Sequence, residues 1–168
     1  MMPDLRAEFL EGMSRAAATV NIITTDGEAG RAGLTVSAMT AVSADTPKPT
    51  LLICINAGSA GAAPILANGV FAVNVLGEGQ SSVSDVFAGR TGDIGAARFA
   101  CARWHVGVTG APLLDAALVS FDCRVSLHRQ IGTHHVLFGE VEAVRLSGEG
   151  RPLIYARRGY AVPAELLR

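Results

Sequence analysis

The chain is short of charge. Only 17% of its 168 residues are Asp, Glu, Lys or Arg, and 15 acidic against 14 basic residues leave a formal net charge of −1. No field of one sign is available to hold a polyanion or an anionic membrane surface, so neither nucleic acid nor membrane is an expected partner. Long apolar runs are missing too. LLICI at 51–55 falls far below the ~20 residues that cross a bilayer, and the mean hydropathy of +0.35 is expected to reflect a core. Asp4, Glu8 and Glu11 stand where a signal peptide would need basic and then continuous apolar residues, which makes the cytoplasm the expected location. Cys54, Cys101 and Cys123 are far apart and form no CxxC pair, so buried thiols in a reducing compartment are expected.

Motifs are absent as well. No GxGxxG, no GxxxxGK[ST] and no GxSxG occurs, which removes the Rossmann, P-loop and serine-hydrolase readings. His134 and His135 are neighbours on an expected strand and point to opposite faces, and His105 and His128 lack ligand spacing. No metal is expected.

What is present is apolar and β-rich. At 49% hydrophobic residues the chain can fill a core, and its length suits one domain over 1–168. Leu5, Phe9 and Met13 predict a short helix over Asp4 to Ala18 with one apolar face laid against a sheet. TVNIITT, the DGEAG turn at 26–30 and RAGLTVSAM at 31–39 predict strand, turn and strand. Pro47 and Pro49 require a loop at 43–49. TLLICIN at 50–56 reads as a strand covered on both faces, followed by a loop and a short helix ending at Asn68-Gly69. Strands are expected at 70–76, 117–127, 133–147 and 152–158, with a turn at 147–151, a helix at Gln80 to Phe87 and a loop to about residue 98. Six or seven strands with two or three short helices, lacking strand–helix alternation, predict an antiparallel barrel.

Polar residues concentrate at strand ends: Thr35, Ser37, Thr40 and Ser43, then Asn56, Gly58 and Ser59. Small hydroxyls and amides there suit a phosphate or the polar edge of a ring, and serve equally well as turn caps. The blocks TVNIITTDGEAGRAGLTVSAMTAVS (19–43), LLICINAGSA (51–60), FAVNVL (71–76), FAG (87–89), IGTHHVLFGEV (131–141) and PLIYARRGY (152–160) resemble, in order and spacing, the short-chain flavin reductases. VNIITT, CIN, NVL and IGTH are similar to the branch forming the reductase component of two-component 4-hydroxyphenylacetate 3-monooxygenase. The resemblance spans about residues 6–160.

It implies a mainly β chain with short helices, folded as an antiparallel split β-barrel of Greek-key type, the FMN-binding split-barrel architecture. It also implies a homodimer that reduces FAD or FMN with NADH or NADPH and supplies a separate flavin-dependent oxygenase component, one that hydroxylates an aromatic substrate. Carried over by position, Thr35, Val36, Ser37 and Ala38 would line the isoalloxazine. Ser43, Asn56 and Ser59 would meet the ribityl phosphate, with Phe87, Ala88 and Gly89 against the same cofactor. His134 would stand near the nicotinamide as the catalytic residue, and Tyr155, Arg157 and Gly159 would help cover it. Many members carry Gly-Asp-His where this chain has Gly132-Thr133-His134. Read by residue type, His134 is also an ordinary strand histidine, and Arg157 and Arg158 are either phosphate partners or a solvated pair. A flavin-binding redox or electron-carrier module without NAD(P)H turnover is the alternative function.

Overall fold

The computed structural model describes residues 4–146 and 149–166. Asp4 opens helix α1 (Leu5–Arg15), its carboxylate accepting from the Arg6 and Ala7 amides at 3.0 and 3.3 Å. The short strand β1 (Ala18–Thr19) leads into the hairpin of β2 (Asn21–Thr25) and β3 (Ala32–Val36). Next come β4 (Met39–Ser43), β5 (Thr50–Asn56), α2 (Ala62–Asn68) and β6 (Val70–Val75). Gly69 ends α2 in the left-handed region at φ 67°, where a side chain would be strained. Helix α3 (Ser81–Phe87) and a 3-10 helix (Gly95–Cys101) precede the small hairpin β7 (Trp104–Val106) and β8 (Pro112–Leu114). Two long strands, β9 (Val119–Ile131) and β10 (His134–Leu146), and a closing hairpin, β11 (Ile154–Ala156) and β12 (Gly159–Ala161), complete the chain.

Seven strands form one antiparallel sheet in the order β3-β2-β6-β9-β10-β5-β4. Laid flat, six inter-strand spacings would hold its edges about 29 Å apart. Yet the edge strands β3 and β4 are joined by Ser37 and Ala38 alone, a link that reaches at most about 11 Å. The sheet therefore rolls into a barrel with a seam at residues 36–39, the split barrel that the family resemblance implies. Bonds fix the seam: the Cys54 amide donates to the Ala38 carbonyl at 3.1 Å, and Asn21 Nδ2 donates to the Val36 carbonyl at 3.3 Å.

Strand β2 is buried on both faces. Ile23 packs inside the barrel with Leu34, Ile53, Phe71 and Leu137, while Ile22 packs outward with Phe87, Phe99, Leu114 and Leu153. Buried Asn74 links β2 to β8 and β9. Its Nδ2 donates to the Ile22 carbonyl and Thr24 Oγ1, and its Oδ1 accepts from the Leu114 amide and Ser120 Oγ. All four bonds of the side chain are made, so its burial carries no unpaired polar atom.

Several expectations change: the strand expected at 31–39 ends at Val36 and a separate strand begins at Met39, and the one expected at 152–158 is the hairpin β11–β12. No residue of α1 is buried; Leu5, Phe9 and Met13 are 78%, 63% and 55% exposed, and the helix is tied through Glu11 and Ser14 to Arg158 and Arg157 at the tip of the β11–β12 hairpin. Strand β5 is fully buried only on the face of Leu51, Ile53 and Ile55. Cys101 is exposed, and only Cys123 is buried, its thiol pushed up to about 12 by desolvation. The stretch read as loop holds the 3-10 helix, and β7 and β8 follow it; short apolar pieces there carry no periodicity. The expected turn at 147–151 and the end of the strand at Ser147 lie partly outside the described residues.

Candidate functional site

A cleft of about 470 Å³ opens at the barrel seam. One wall is Leu34 to Ala38, the end of β3 and its link to β4. Opposite stand Cys54 and Asn56 from β5, then Ser59, Ala60 and Gly61 leading into α2. Phe87 and Ala88 at the end of α3, Arg98 from the 3-10 helix and His134 at the start of β10 close it. Antiparallel pairing of Asn56 with His134 brings two strand ends 78 residues apart in sequence to one rim. The absence of a Cβ at Gly33 lets α3 approach β3, since an added Cβ would stand 2.7 Å from Phe87 Cε1.

The polar groups here are mostly donors. Ser59 Oγ is buried and has no hydrogen-bond partner among the described residues. The Ser37 and Ala38 amides donate to no acceptor among them. The Arg98 guanidinium is held by backbone carbonyls, its Nε by Asp93 at 3.0 Å and its Nη1 by Phe87 and Gly33 at 3.4 and 3.5 Å, and no carboxylate lines the cleft. Cys54 is kept a thiol, its pKa raised by burial. The Thr133 hydroxyl lies 3.0 Å from His134 Nδ1, within hydrogen-bond reach of that ring. A donor-rich pocket with one fixed cation suits an anionic ligand that also presents carbonyl acceptors.

A smaller cleft of about 220 Å³ shares Thr35, Val36, Ser37 and Ala88 with the first and extends to Val20, Ser84, Arg90, Tyr155 and Tyr160. The Tyr160 hydroxyl sits 2.8 Å from both Ser84 Oγ and Asp85 Oδ1, and Arg90 Nη1 donates to Asp85 Oδ1 at 2.7 Å. These contacts lower the Asp85 pKa, the Tyr160 bond more than the Arg90 pair, while burial raises that of Tyr160.

Of the residues singled out by sequence, the larger cleft gathers Thr35, Val36, Ser37, Ala38, Asn56, Ser59, Phe87, Ala88 and His134, and the smaller takes Tyr155. Ser43 ends β4 beside a register shift, outside both. Gly89 lies behind the lining, where an added Cβ would stand 3.3 Å from Arg98 Nη2. Arg157 lies at the tip of the β11–β12 hairpin beside α1, its amide bonded to the Ser14 carbonyl, and Gly159 starts β12; neither lines these clefts. Arg98, Cys54, Arg90 and Tyr160 were missed. Arg98 and Arg90 fall in or beside a Gly-rich stretch without pattern, whereas Tyr160 lay inside a recognised block.

The flavin reductase like domain family matches residues 13–163. The FMN reductase (NADH) RutF of Stutzerimonas stutzeri (strain A1501) is 50% identical over 159 residues, 94% of this chain and 88% of that protein. Among solved structures, a homologue of nitrilotriacetate monooxygenase component B from Mycobacterium thermoresistibile superposes with a TM-score of 0.83 at 30% identity, over 96% of this chain and 92% of that one. BorF, the flavin reductase component of a bacterial two-component tryptophan halogenase, gives a TM-score of 0.83 at 26% identity, covering 95% and 99%.

Proposed function

The chain belongs to the flavin reductase-like family, and from that premise we propose that it uses NADH to reduce FMN in the larger cleft and hands the reduced flavin to a separate oxygenase component. It is an oxidoreductase, a flavin reductase. The name of the Stutzerimonas relative supports NADH over NADPH and FMN over FAD. The two-component systems named for the structural relatives support a partner that consumes reduced flavin; an aromatic-hydroxylating partner rests on the sequence blocks alone.

The observation that carries the reading is the donor set of the cleft. Ser59 Oγ, orphaned and buried, and the Arg98 guanidinium fit a phosphate, while the Ser37 and Ala38 amides fit a ring edge rich in carbonyl acceptors. Bound flavin supplies a ring that accepts hydride from reduced nicotinamide. The residues supply position. Holding two rings in reacting geometry is worth ~7–11 kcal/mol of a bimolecular barrier, so no strong acid or nucleophile is needed. Amides fixed at the seam stabilise negative charge on the edge they face. His134, beside the Thr133 hydroxyl, would hydrogen-bond the nicotinamide carboxamide, and Tyr155 would help exclude water.

We further infer one functional unit over 1–168, located in the cytoplasm; no helix among the described residues is long and apolar enough to cross a membrane. Homodimerisation is supported by the uncovered stripe of α1 and by Leu127 and Ile131 on β9, 44% and 67% exposed.

A steady-state assay crossing NADH and NADPH with FMN, FAD and riboflavin tests the activity. NADH oxidation should saturate with added FMN and vanish without flavin. Tight flavin retention with no oxidation of either nicotinamide would instead establish the electron-carrier alternative.

A further inference from the structure

Three arginines meet where α1 ends. Arg15 of that helix and Arg157 and Arg158 of the β11–β12 turn surround a hollow of about 420 Å³, with Glu11 and Ser14 completing its lining. We propose that this hollow is a second binding site, separate from the flavin cleft, for the phosphate dianion of a small molecule. None of its lining residues belongs to either cleft described above. Its volume falls within the ~300–1,000 Å³ of small-molecule pockets, so room remains beside a phosphate for the rest of a small ester. At ~3.6 residues per turn, Glu11, Ser14 and Arg15 fall on the side of α1 opposite Leu5, Phe9 and Met13, so the hollow and the apolar stripe do not compete for one surface.

The turn runs against its own backbone preference. Ala156 pairs with Gly159, so Arg157 and Arg158 are the whole of a two-residue hairpin loop, at φ 51° and 62°. Turns with both central residues at positive φ favour Asn-Gly, and a long side chain is strained there. Two successive arginines kept in that conformation point to a task for their side chains. Arg158 Nη2 donates to Glu11 Oε2 at 2.9 Å and Arg15 Nε to Glu11 Oε1 at 3.3 Å, whereas the Arg157 guanidinium has no partner among the described residues. One carboxylate against three guanidinium groups leaves two positive charges in excess, which a dianion neutralises. The guanidinium fork matches phosphate oxygens two at a time. The same field lowers the pKa of Glu11, the Arg158 bond most. The end of α1 offers little to repel an anion: the carbonyls of Glu11, Met13 and Ser14 accept from the Ser14 hydroxyl, the Ala16 amide and the Arg157 amide.

Calorimetric titration at low ionic strength with inorganic phosphate and with glycerol 3-phosphate tests the site. Neither flavin nor nicotinamide is present, so the outcome is independent of the flavin-reductase reading. Both probes should bind the wild-type protein; tighter binding of the ester identifies an organic phosphate as the ligand, and tighter binding of inorganic phosphate the free ion. Arg157→Asn leaves the Arg158–Glu11 pair in place and should weaken both probes by about tenfold, the loss of one charge-assisted bond. Glu11→Gln removes the competing carboxylate and should tighten them. Arg157→Asn/Arg158→Gly restores the favoured turn, so it should abolish binding while melting no lower than the wild-type protein. The proposal is overturned if neither probe binds the wild-type protein, if Arg157→Asn binds them equally well, or if the double variant loses binding only with a fall in Tm, which would make the arginines a tether for α1.

Discussion

Arg98 lines the larger cleft with its guanidinium held by backbone carbonyls and without a carboxylate partner among the described residues. Its charge is therefore available to an anion, and a charge-assisted hydrogen bond contributes about 1.5–3 kcal/mol. Arg98→Gln should raise the KM for FMN by about 10–150-fold and leave riboflavin, which has no phosphate, close to its wild-type value. Equal effects on the two flavins in steady-state assays would remove Arg98 from the phosphate. Ser59→Ala deletes one neutral donor and should cost FMN only about 2–10-fold. At this scale the sequence disclosed hydroxyl and amide residues, because they cluster at strand ends and lie in recognisable blocks. It did not disclose Arg98, whose place depends on how a short 3-10 helix folds back over α3.

The β11–β12 hairpin reaches α3 through a small network. Tyr160 and Arg90 both bind Asp85, whose pKa lies below its ordinary 3.8. A depressed carboxylate adds stability that is complete above the unfolded value and is lost as pH falls through the lower folded value. The ion pair is partly exposed and screened, so Asp85→Asn should cost less than ~1 kcal/mol at pH 7, lowering Tm by no more than about 2–4 °C. Thermal melts should show that gap closing below pH 4. A gap that persists or widens in acid would assign the role of Asp85 to something other than its charge. Long elements such as β5, β6 and β10 were legible because β-branched runs bounded by turns have few other solutions. Strands β7 and β8, three residues each, were not: they are ordered by tertiary contact, Trp104 packing edge-on to Phe87 and Phe99 at 5.5 and 4.9 Å.

Across the whole molecule, barrel closure places the site. Two residues join opposite edges of a seven-stranded sheet, and both of them line the cleft. The expected helix formed, but periodicity reports an apolar face and not which chain covers it, and α1 remains open to solvent. Sedimentation should find a dimer for the wild-type protein and a monomer for Phe9→Glu/Met13→Glu; a wild-type monomer would contradict the homodimer reading. The most direct measurement is the crystal structure of the protein with FMN bound. The ring should lie along Thr35–Ala38, with the phosphate within hydrogen-bond distance of Ser59 Oγ and the Arg98 guanidinium. A ring bound elsewhere, or a phosphate turned away from both groups, would contradict the account.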